Sequence, residues 1–302
     1  MPLILVGRRP EKGKIITPPR KAIDEFYWNP SITEHKGEIY VSLRGYTVDS
    51  TIWGHWRSTL AIGKLVNDKI EGLKVVQPPK PDRTNSNRLE DVRIWSDGKI
   101  LWAIGNHLSN DGKIMQEQAE AVIDYEKGTY EIINKFGNPK GMSEKNWSPI
   151  EGMPHTYLYA IGELFKEGWS KITEPHPDIS LVHNGTPLIK DGDDYIGVFH
   201  QRVRLANNIH RYPNVFVKFD KDFKPIQRSG WFVFDDEAHQ EVQFISGAVR
   251  VKDQIWLTVG IDRISPQTPA DYKGLLYKVN ISDIAFKDFD YYNFVIRRGK
   301  LS

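Results

Sequence analysis

A short unit recurs five times along this chain of 302 residues, and it constrains the fold more than any other feature. In each unit a polar residue precedes a short apolar strand, and a turn and a second apolar strand follow. The units begin near residues 28, 89, 146, 184 and 244. A spacing of about 40 to 60 residues is typical of the blades of a β-propeller. The sequence therefore predicts an all-β protein folded as a five-bladed β-propeller.

The turns inside these units have suitable residues. Asp97-Gly98 lies between two runs of alternating apolar residues, Val92 to Ile94 and Ile100 to Ile104. Such a pair favours a two-residue hairpin turn because it tolerates positive φ. Lys36-Gly37 and Asp191-Gly192 lie at the corresponding places of two other units. Outer strands are expected between the units, at residues 59–62, 121–125, 130–136, 214–219 and 275–279.

No linker rich in Gly or Ser and no low-complexity segment divides the chain. We therefore expect a single propeller domain over residues 1–302. Residues 1–24 are basic and rich in proline, with Leu3 to Val6 as their apolar part. We interpret this segment as an N-terminal arm that adds an edge strand.

Composition argues against several classes of function. A formal net charge of +2 gives no electrostatic basis for binding nucleic acid or an anionic membrane. The absence of cysteine excludes disulfides and thiolate chemistry and suits a cytoplasmic protein. No apolar run approaches the length of a membrane span. His155, His176, His183 and His210 lack metal-ligand spacing, so neither a metal nor a cofactor is expected. An oligomer remains open.

The innermost strands of a propeller line a central channel, so the polar residues at their starts meet at one mouth. Such convergence is the usual form of a ligand site. Aromatic residues make up 12% of the chain, with nine tryptophans, which suits both a β-rich core and a cleft that binds sugar rings. The polar residues expected around this mouth are Asn29, Asp91, Asn146, Thr186 and Ser246.

Glu90 and Asp91 are adjacent carboxylates at the start of the second unit. Neighbours on a strand point to opposite faces, so both can face one cavity only if the strand bulges there. One is then a working group and the other a support. A solvated charged loop, or an ion pair of Asp91 with Arg93 or Arg88, explains the same residues without a function.

Five segments resemble, in the same order, motifs of five-bladed propeller glycosidases, above all glycoside hydrolase family 130, the β-mannoside phosphorylases and hydrolases. Glu90-Asp91-Val92-Arg93-Ile94 resembles the family's Glu-Asp-Pro-Arg-Ile motif. The resemblance spans about residues 28 to 265. The other four segments are Asn29-Pro30-Ser31, Glu144-Lys145-Asn146-Trp147, Gly185-Thr186-Pro187-Leu188-Ile189 with His200, and Ser246-Gly247-Ala248-Val249 with Gly260-Ile261-Asp262.

The resemblance implies an inverting enzyme that cleaves or forms a β-linked, mannoside-like hexoside with Asp91 as general acid/base. Asp262 and Glu90 are candidates for a second carboxylate. The implied partners are a carbohydrate and either phosphate or a sugar nucleotide. Arg44, Arg93 and Lys145 are candidates for holding an anion or hydroxyls, against the alternative of solvated surface charge. The candidates for sugar recognition are Asn29, Asn146, Trp147, Thr186, His200 and Ser246.

Some of these residues have an ordinary structural alternative. His200 ends an apolar run and equally suits a histidine at the edge of the core. Trp28, Trp53 and Trp147 suit stacking on a sugar ring, and they also suit packing between blades.

The chain departs from the family pattern at two places. Val92 replaces the proline of the second motif. Ala160-Ile161-Gly162-Glu163 stands where the family phosphorylases have His-Arg-Pro, whose basic residues help to hold phosphate. A hydrolase, or a glycosyltransferase that uses a sugar nucleotide or sugar phosphate, therefore stands beside the phosphorylase. A non-catalytic propeller that binds glycans is the alternative from another class.

Overall fold

Strands dominate the structure, a computed structural model. It describes residues 13–17, 25–48, 56–78, 89–108, 116–136, 146–166, 169–171, 181–204, 210–234, 241–263 and 273–296. The helical elements include two 3-10 turns, Ile281–Asp283 and Tyr291–Asn293. No helix in the described part is long and apolar enough to cross a membrane.

Five antiparallel sheets, here called blades 1 to 5, follow one another along the chain. Strand β1 (Lys14–Ile15) precedes blade 1. Blade 1 contains β2 (Glu25–His35), β3 (Glu38–Val48), β4 (Trp56–Val66) and β5 (Lys69–Val76). Blade 2 contains β6 (Leu89–Ser96), β7 (Leu101–Leu108), β8 (Gln116–Asp124) and β9 (Thr129–Phe136). Blade 3 contains β10 (Ser148–Ile150), β11 (Met153–Ala160), β12 (Glu163–Lys166) and β13 (Trp169–Lys171).

The last two blades also take strands from distant parts of the chain. Blade 4 contains β14 (Val182–Asn184), β15 (Ile189–Asp191), β16 (Asp194–Gln201), β19 (Asn214–Phe219), β20 (Pro225–Arg228) and the late strand β24 (Lys287–Asp288). Strands β17 (Val203–Arg204) and β18 (His210–Arg211) pair separately beside it. Blade 5 contains β21 (Glu241–Val251), β22 (Gln254–Arg263), β23 (Lys273–Asn280) and β1. The fold is the predicted five-bladed β-propeller.

The ring closes between blade 5 and blade 1. Strand β2 contacts β21, and β1 supplies the outer strand of blade 5 by pairing Lys14 with Leu276. The amide of Ile16 continues this pairing with a 2.9 Å hydrogen bond to the carbonyl oxygen of Gly274. This part of the expected N-terminal arm is thus an edge strand, whereas Leu3 to Val6 lie outside the described residues.

Five apolar clusters each lie between two neighbouring blades, and burial of these side chains stabilises the contact between the blades. The cluster between blades 2 and 3 is aromatic and contains Trp95, Trp102, Trp147 and Tyr157. Residues on both faces of the inner strands, such as β6, β16 and β19, are buried, because each sheet packs against one neighbour on either side. This explains why the second strand of each unit is a nearly continuous apolar run.

The turns agree with the sequence in part. Lys36-Gly37 forms a two-residue hairpin turn with φ of 54° and 80°. The turn after β6 is longer than predicted, because Ser96 pairs with Leu101 and four residues lie between them. The Asp97 carboxylate accepts hydrogen bonds from the amides of Lys99 (2.8 Å) and Ile100 (2.7 Å), and this holds Ile100 in the turn, not in the strand. After β15 the turn residues are Gly192 and Asp193, one position later than predicted.

Candidate active site

Three inner strands enter the ring with the same unusual backbone conformation. Asn29, Asp91 and Asn146 have φ of 47°, 49° and 65°, in the left-handed region where Asn and Asp are tolerated better than other residues with side chains. They lie in or just before the innermost strands of blades 1, 2 and 3. The side chains predicted to meet at the mouth therefore start from equivalent turns of the backbone.

A bulge in β6 places Glu90 and Asp91. Glu90 pairs with Asn106 and Arg93 with Ile104, so Asp91 and Val92 together face the single residue Gly105. A bulge of this kind redirects one side chain out of the strand alternation. It removes the obstacle noted in the sequence, where two adjacent carboxylates cannot otherwise share one cavity.

One arginine from the neighbouring blade binds both carboxylates. Arg44 Nη1 donates to Asp91 Oδ1 at 2.8 Å, and Arg44 Nη2 lies 3.0 Å from Glu90 Oε2. Asn29 Nδ2 donates to the same Asp91 oxygen at 2.9 Å. The Arg44 guanidinium also lies 5.1 Å from the centre of the Trp28 ring, a cation–π contact. Asp91 thus has cross-blade partners from β2 and β3.

Arg93 is held inside the protein. Its side chain is buried, and its Nε donates to the carbonyl oxygen of Gly185 at 2.9 Å. Its Nη2 donates to the carbonyl oxygen of Asn184 (3.1 Å) and to Asn146 Oδ1 (3.2 Å). Burial lowers the pKa of Arg93 to about 10, so it stays charged at neutral pH. It joins blades 2, 3 and 4.

These contacts fix the orientation of the Asn146 amide. A guanidinium only donates, so Asn146 must turn its oxygen towards Arg93. Its NH₂ group then points away from Arg93, and contact of this group with a sugar stays a prediction. Among the candidates for sugar recognition, Asn29 and Asn146 therefore stand on either side of Asp91, on blades 1 and 3.

His200 is buried on β16 between other aromatic rings. Its ring centre lies 5.5 Å from that of Phe244 and 5.7 Å from that of His183. Burial, followed by the charges of His183 and Arg93, lowers the pKa of His200 to about 3. Its Nδ1 has no hydrogen-bond partner within the described part of the chain. His200 is therefore neutral at physiological pH.

The hydroxyls of Ser246 and Thr186 form hydrogen bonds inside the protein. Ser246 Oγ donates to the carbonyl oxygen of Pro30 at 2.7 Å and joins blade 5 to blade 1. Thr186 Oγ1 donates to the carbonyl oxygen of Pro187 at 2.9 Å and accepts from the amide of Val198 at 3.0 Å. Both residues are fully buried. The structure gives them a role in holding strands, and their contact with a sugar stays a prediction.

Trp147 is also fully buried. Its ring packs at 5.0 Å from Phe165 and 5.3 Å from Phe136, between ring centres. This is the packing alternative stated for the tryptophans, and the predicted sugar contact of Trp147 stays a prediction. Lys145 and Trp53 lie outside the described residues.

Asp262 lies near the end of β22, opposite Val242, and its side chain is outside the described part of the structure. No group of three or more His, Cys, Asp or Glu side chains that would hold a metal ion is found among the described residues. Gly105 faces the bulge, and the ring of Phe244 lies 5.9 Å from the Arg93 guanidinium. Neither residue was among the site residues predicted from the sequence. A glycine in the strand opposite a suspected bulge is the signal that points to Gly105.

The fold is similar to solved structures of carbohydrate-active enzymes. One belongs to the glycoside hydrolase family 130 of mannoside phosphorylases, which contains hydrolases that target β-1,2-mannosidic linkages in Candida mannan. It shares 17% identity over 94% of this chain and 97% of its own, with a TM-score of 0.63. A mannose phosphorylase from Leishmania mexicana, solved with phosphate, shares 13% identity over 96% of this chain and 95% of its own, with a TM-score of 0.58.

A GDP-mannose-dependent mannosyltransferase from Leishmania mexicana is also similar, with 12% identity over 91% of this chain and 92% of its own and a TM-score of 0.55. No protein-family model and no curated protein matches the sequence. At these identities the likeness shows the fold. The resemblance to propeller glycosidases and related transferases is confirmed at that level.

Proposed function

We propose that the protein is a carbohydrate-active enzyme that cleaves or forms a β-linked, mannose-like hexoside, with Asp91 as its general acid/base. The observation that carries the proposal is the cluster formed by Asp91, Glu90, Arg44 and Asn29. It collects two carboxylates, a guanidinium and an amide where the inner strands of blades 1 and 2 begin. Because a fold alone does not specify a function, the proposal rests on this cluster together with the fold.

The surroundings of Asp91 suit a group that exchanges a proton. Arg44 and Asn29 both donate to Asp91 Oδ1 and hold the carboxylate in place. In transfer, this carboxylate accepts the proton of an acceptor hydroxyl while the hydroxyl oxygen bonds to the sugar C1 and the bond between C1 and the phosphate of the donor breaks. In cleavage, the protonated carboxyl gives its proton to the bridging oxygen as the bond from C1 to that oxygen breaks. A water bonds to C1 from the opposite face and loses its proton to the second carboxylate, for which Asp262 and Glu90 are the candidates. Glu90 binds the same guanidinium and so helps to hold Arg44 beside Asp91.

The second reactant is proposed to be water or a sugar hydroxyl, not phosphate. Where the family phosphorylases carry basic residues, this chain makes a tight turn between β11 and β12. Ile161 is buried in that turn, and Gly162 has φ of 91°. His200 is neutral because of its lowered pKa, and Arg93 Nε and Nη2 donate to oxygens of the protein. These features supply little positive charge for phosphate.

The test is a product assay with Asp91→Asn and, as a control, Asp124→Asn. Asp124 is a partly exposed carboxylate that pairs with Lys127 at 2.8 Å on the outside of blade 2. β-Mannosides, glycosyl phosphates and sugar nucleotides serve as substrates, with simple sugars as acceptors. We expect Asp91→Asn to lower turnover about 10²- to 10⁴-fold and to keep sugar binding, and the control to match wild type.

The donors that react decide between the alternatives. Hydrolysis of a β-mannoside supports the hydrolase, and transfer from a sugar nucleotide supports the glycosyltransferase, in which the Asp91 carboxylate is the required base. Release of phosphate from a glycosyl phosphate with a new disaccharide would contradict the argument against phosphate. No product from any donor, with sugar binding intact, would refute the enzyme and leave a glycan-binding propeller.

A further inference from the structure

We infer that Gly260 and Gly105 are positioning residues that set the place of the Asn29–Asp91 pair from behind. The inference rests on the proposed function. Both glycines lie on second strands, Gly105 on β7 of blade 2 and Gly260 on β22 of blade 5. Neither position is in the left-handed region, so the lack of a Cβ matters for the space it leaves and not for backbone freedom.

Gly260 packs directly on Asn29. A Cβ at residue 260 would lie 2.9 Å from the Asn29 amide nitrogen and 3.0 Å from its Cα, and it would also collide with Asn29 Oδ1. The Asn29 amide is the group that donates to Asp91 Oδ1. A side chain at residue 260 would therefore push Asn29 from blade 5 towards or past Asp91 and break the 2.9 Å hydrogen bond between them.

Gly105 lies behind the bulge itself. A Cβ at residue 105 would lie 2.9 Å from the carbonyl oxygen of Glu90 and 2.9 Å from Val92 Cγ2. Those two residues flank Asp91, so the clash would shift the Asp91 backbone. Two blades thus contribute to the same arrangement: Gly105 leaves room for the carboxylate, and Gly260 leaves room for its amide partner.

The inference predicts a defect in proton transfer. A displaced acid/base slows reactions that need its proton and spares those that do not. The cleavage rates of substrates with poor and with good leaving groups are therefore expected to change by different factors. With Gly260→Ala or Gly105→Ala, we expect cleavage of an alkyl β-mannoside to slow about 100-fold. The dinitrophenolate of a dinitrophenyl β-mannoside is a good leaving group that needs no proton. Cleavage of this substrate is therefore expected to slow far less.

Gly63→Ala is the matched control. A Cβ at Gly63 on β4 would lie 2.5 Å from Ile70 Cγ2 and 2.8 Å from the carbonyl oxygen of Glu71, a comparable clash against β5. Loss of folded protein lowers both rates equally, so the control is expected to keep the ratio of the two rates. Asn29→Ala removes the amide without adding a Cβ at residue 260, and it is expected to reproduce the ratio of Gly260→Ala even if that variant folds poorly.

For a transferase, azide replaces the acceptor alcohol as the nucleophile that needs no base. Unequal loss of the two reactions in Gly260→Ala, Gly105→Ala and Asn29→Ala supports the inference. An active wild type, with rate ratios in these variants equal to those of Gly63→Ala, overturns the inference and leaves the proposed function intact. A wild-type protein that is inactive on every donor refutes the proposed function and, with it, a catalytic meaning of the two glycines.

Discussion

The buried His200 predicts a measurable loss of stability in acid. Its side chain is 4% exposed, and burial, His183 and Arg93 together lower its pKa from 6.5 to about 3. In the unfolded chain, the His200 ring takes up a proton near pH 6.5, whereas in the folded chain it stays neutral until about pH 3. The contribution of His200 to stability is therefore present above pH 6.5 and is lost as the pH falls from 6.5 towards 3.

Linkage gives the size of this effect. Between pH 7 and pH 5, a group with these two pKa values lowers the free energy of unfolding by about 2 kcal/mol. The assay is urea unfolding of wild type and His200→Gln at pH 7, 6 and 5. His183 and His35 also have pKa values lowered by burial, so the informative quantity is the difference in pH dependence between the two proteins.

We expect the wild type to lose about 2 kcal/mol more than His200→Gln over this range. Nitrogen chemical shifts of the imidazole rings supply a second measurement that needs no variant, with His200 still neutral at pH 5. Parallel stability curves for the two proteins, or a cationic His200 ring at pH 5, would refute the reasoning. A cationic His200 would also be able to offer a positive charge to phosphate.

Two buried side chains give further predictions about stability, each measured as a shift in the urea unfolding curve. Arg93→Met leaves the carbonyl oxygens of Asn184 and Gly185 and the Asn146 amide oxygen without this donor, and we expect a loss of about 3–5 kcal/mol. A loss below about 1 kcal/mol would show that Arg93 does not join the blades. Trp147→Ala opens a cavity in the aromatic cluster between blades 2 and 3, with an expected cost of about 3–5 kcal/mol. Unchanged stability would instead favour an accessible ring, as the sugar-binding prediction requires.

Much of the fold was predictable because the blade unit is local. A strand, a turn and a second strand leave their pattern within about 15 residues of sequence. The Lys36-Gly37 turn and the need for a bulge at Glu90 and Asp91 follow from that short range. The prediction of a two-residue turn after β6 was wrong. The Asp97 side chain binds two backbone amides, and this stabilises a longer loop than the Asp-Gly pair suggests.

The contacts of the candidate site were harder to predict because they join different blades. The sequence offered Arg93 and Arg88 as ion-pair partners of Asp91, both close in sequence, and Arg88 lies outside the described residues. The structure pairs Asp91 with Arg44 and Asn29, 47 and 62 positions away. The bulge changes which neighbours Asp91 can reach, and sequence periodicity carries no information about which blade supplies a partner.

The closure of the ring by β1 ties assembly of the candidate site to synthesis of the last blade. The Gly274 amide donates a hydrogen bond to Thr17 Oγ1, although the two residues are 257 positions apart. Strand β1 therefore cannot pair with β23 until most of the chain has been synthesised. The same seam contains Gly260 against Asn29 and Ser246 against Pro30. A nascent chain with blades 1 and 2 complete therefore contains Asn29 and Asp91 but lacks the packing of Gly260 on Asn29. The proposed activity is therefore expected only after the whole ring has closed.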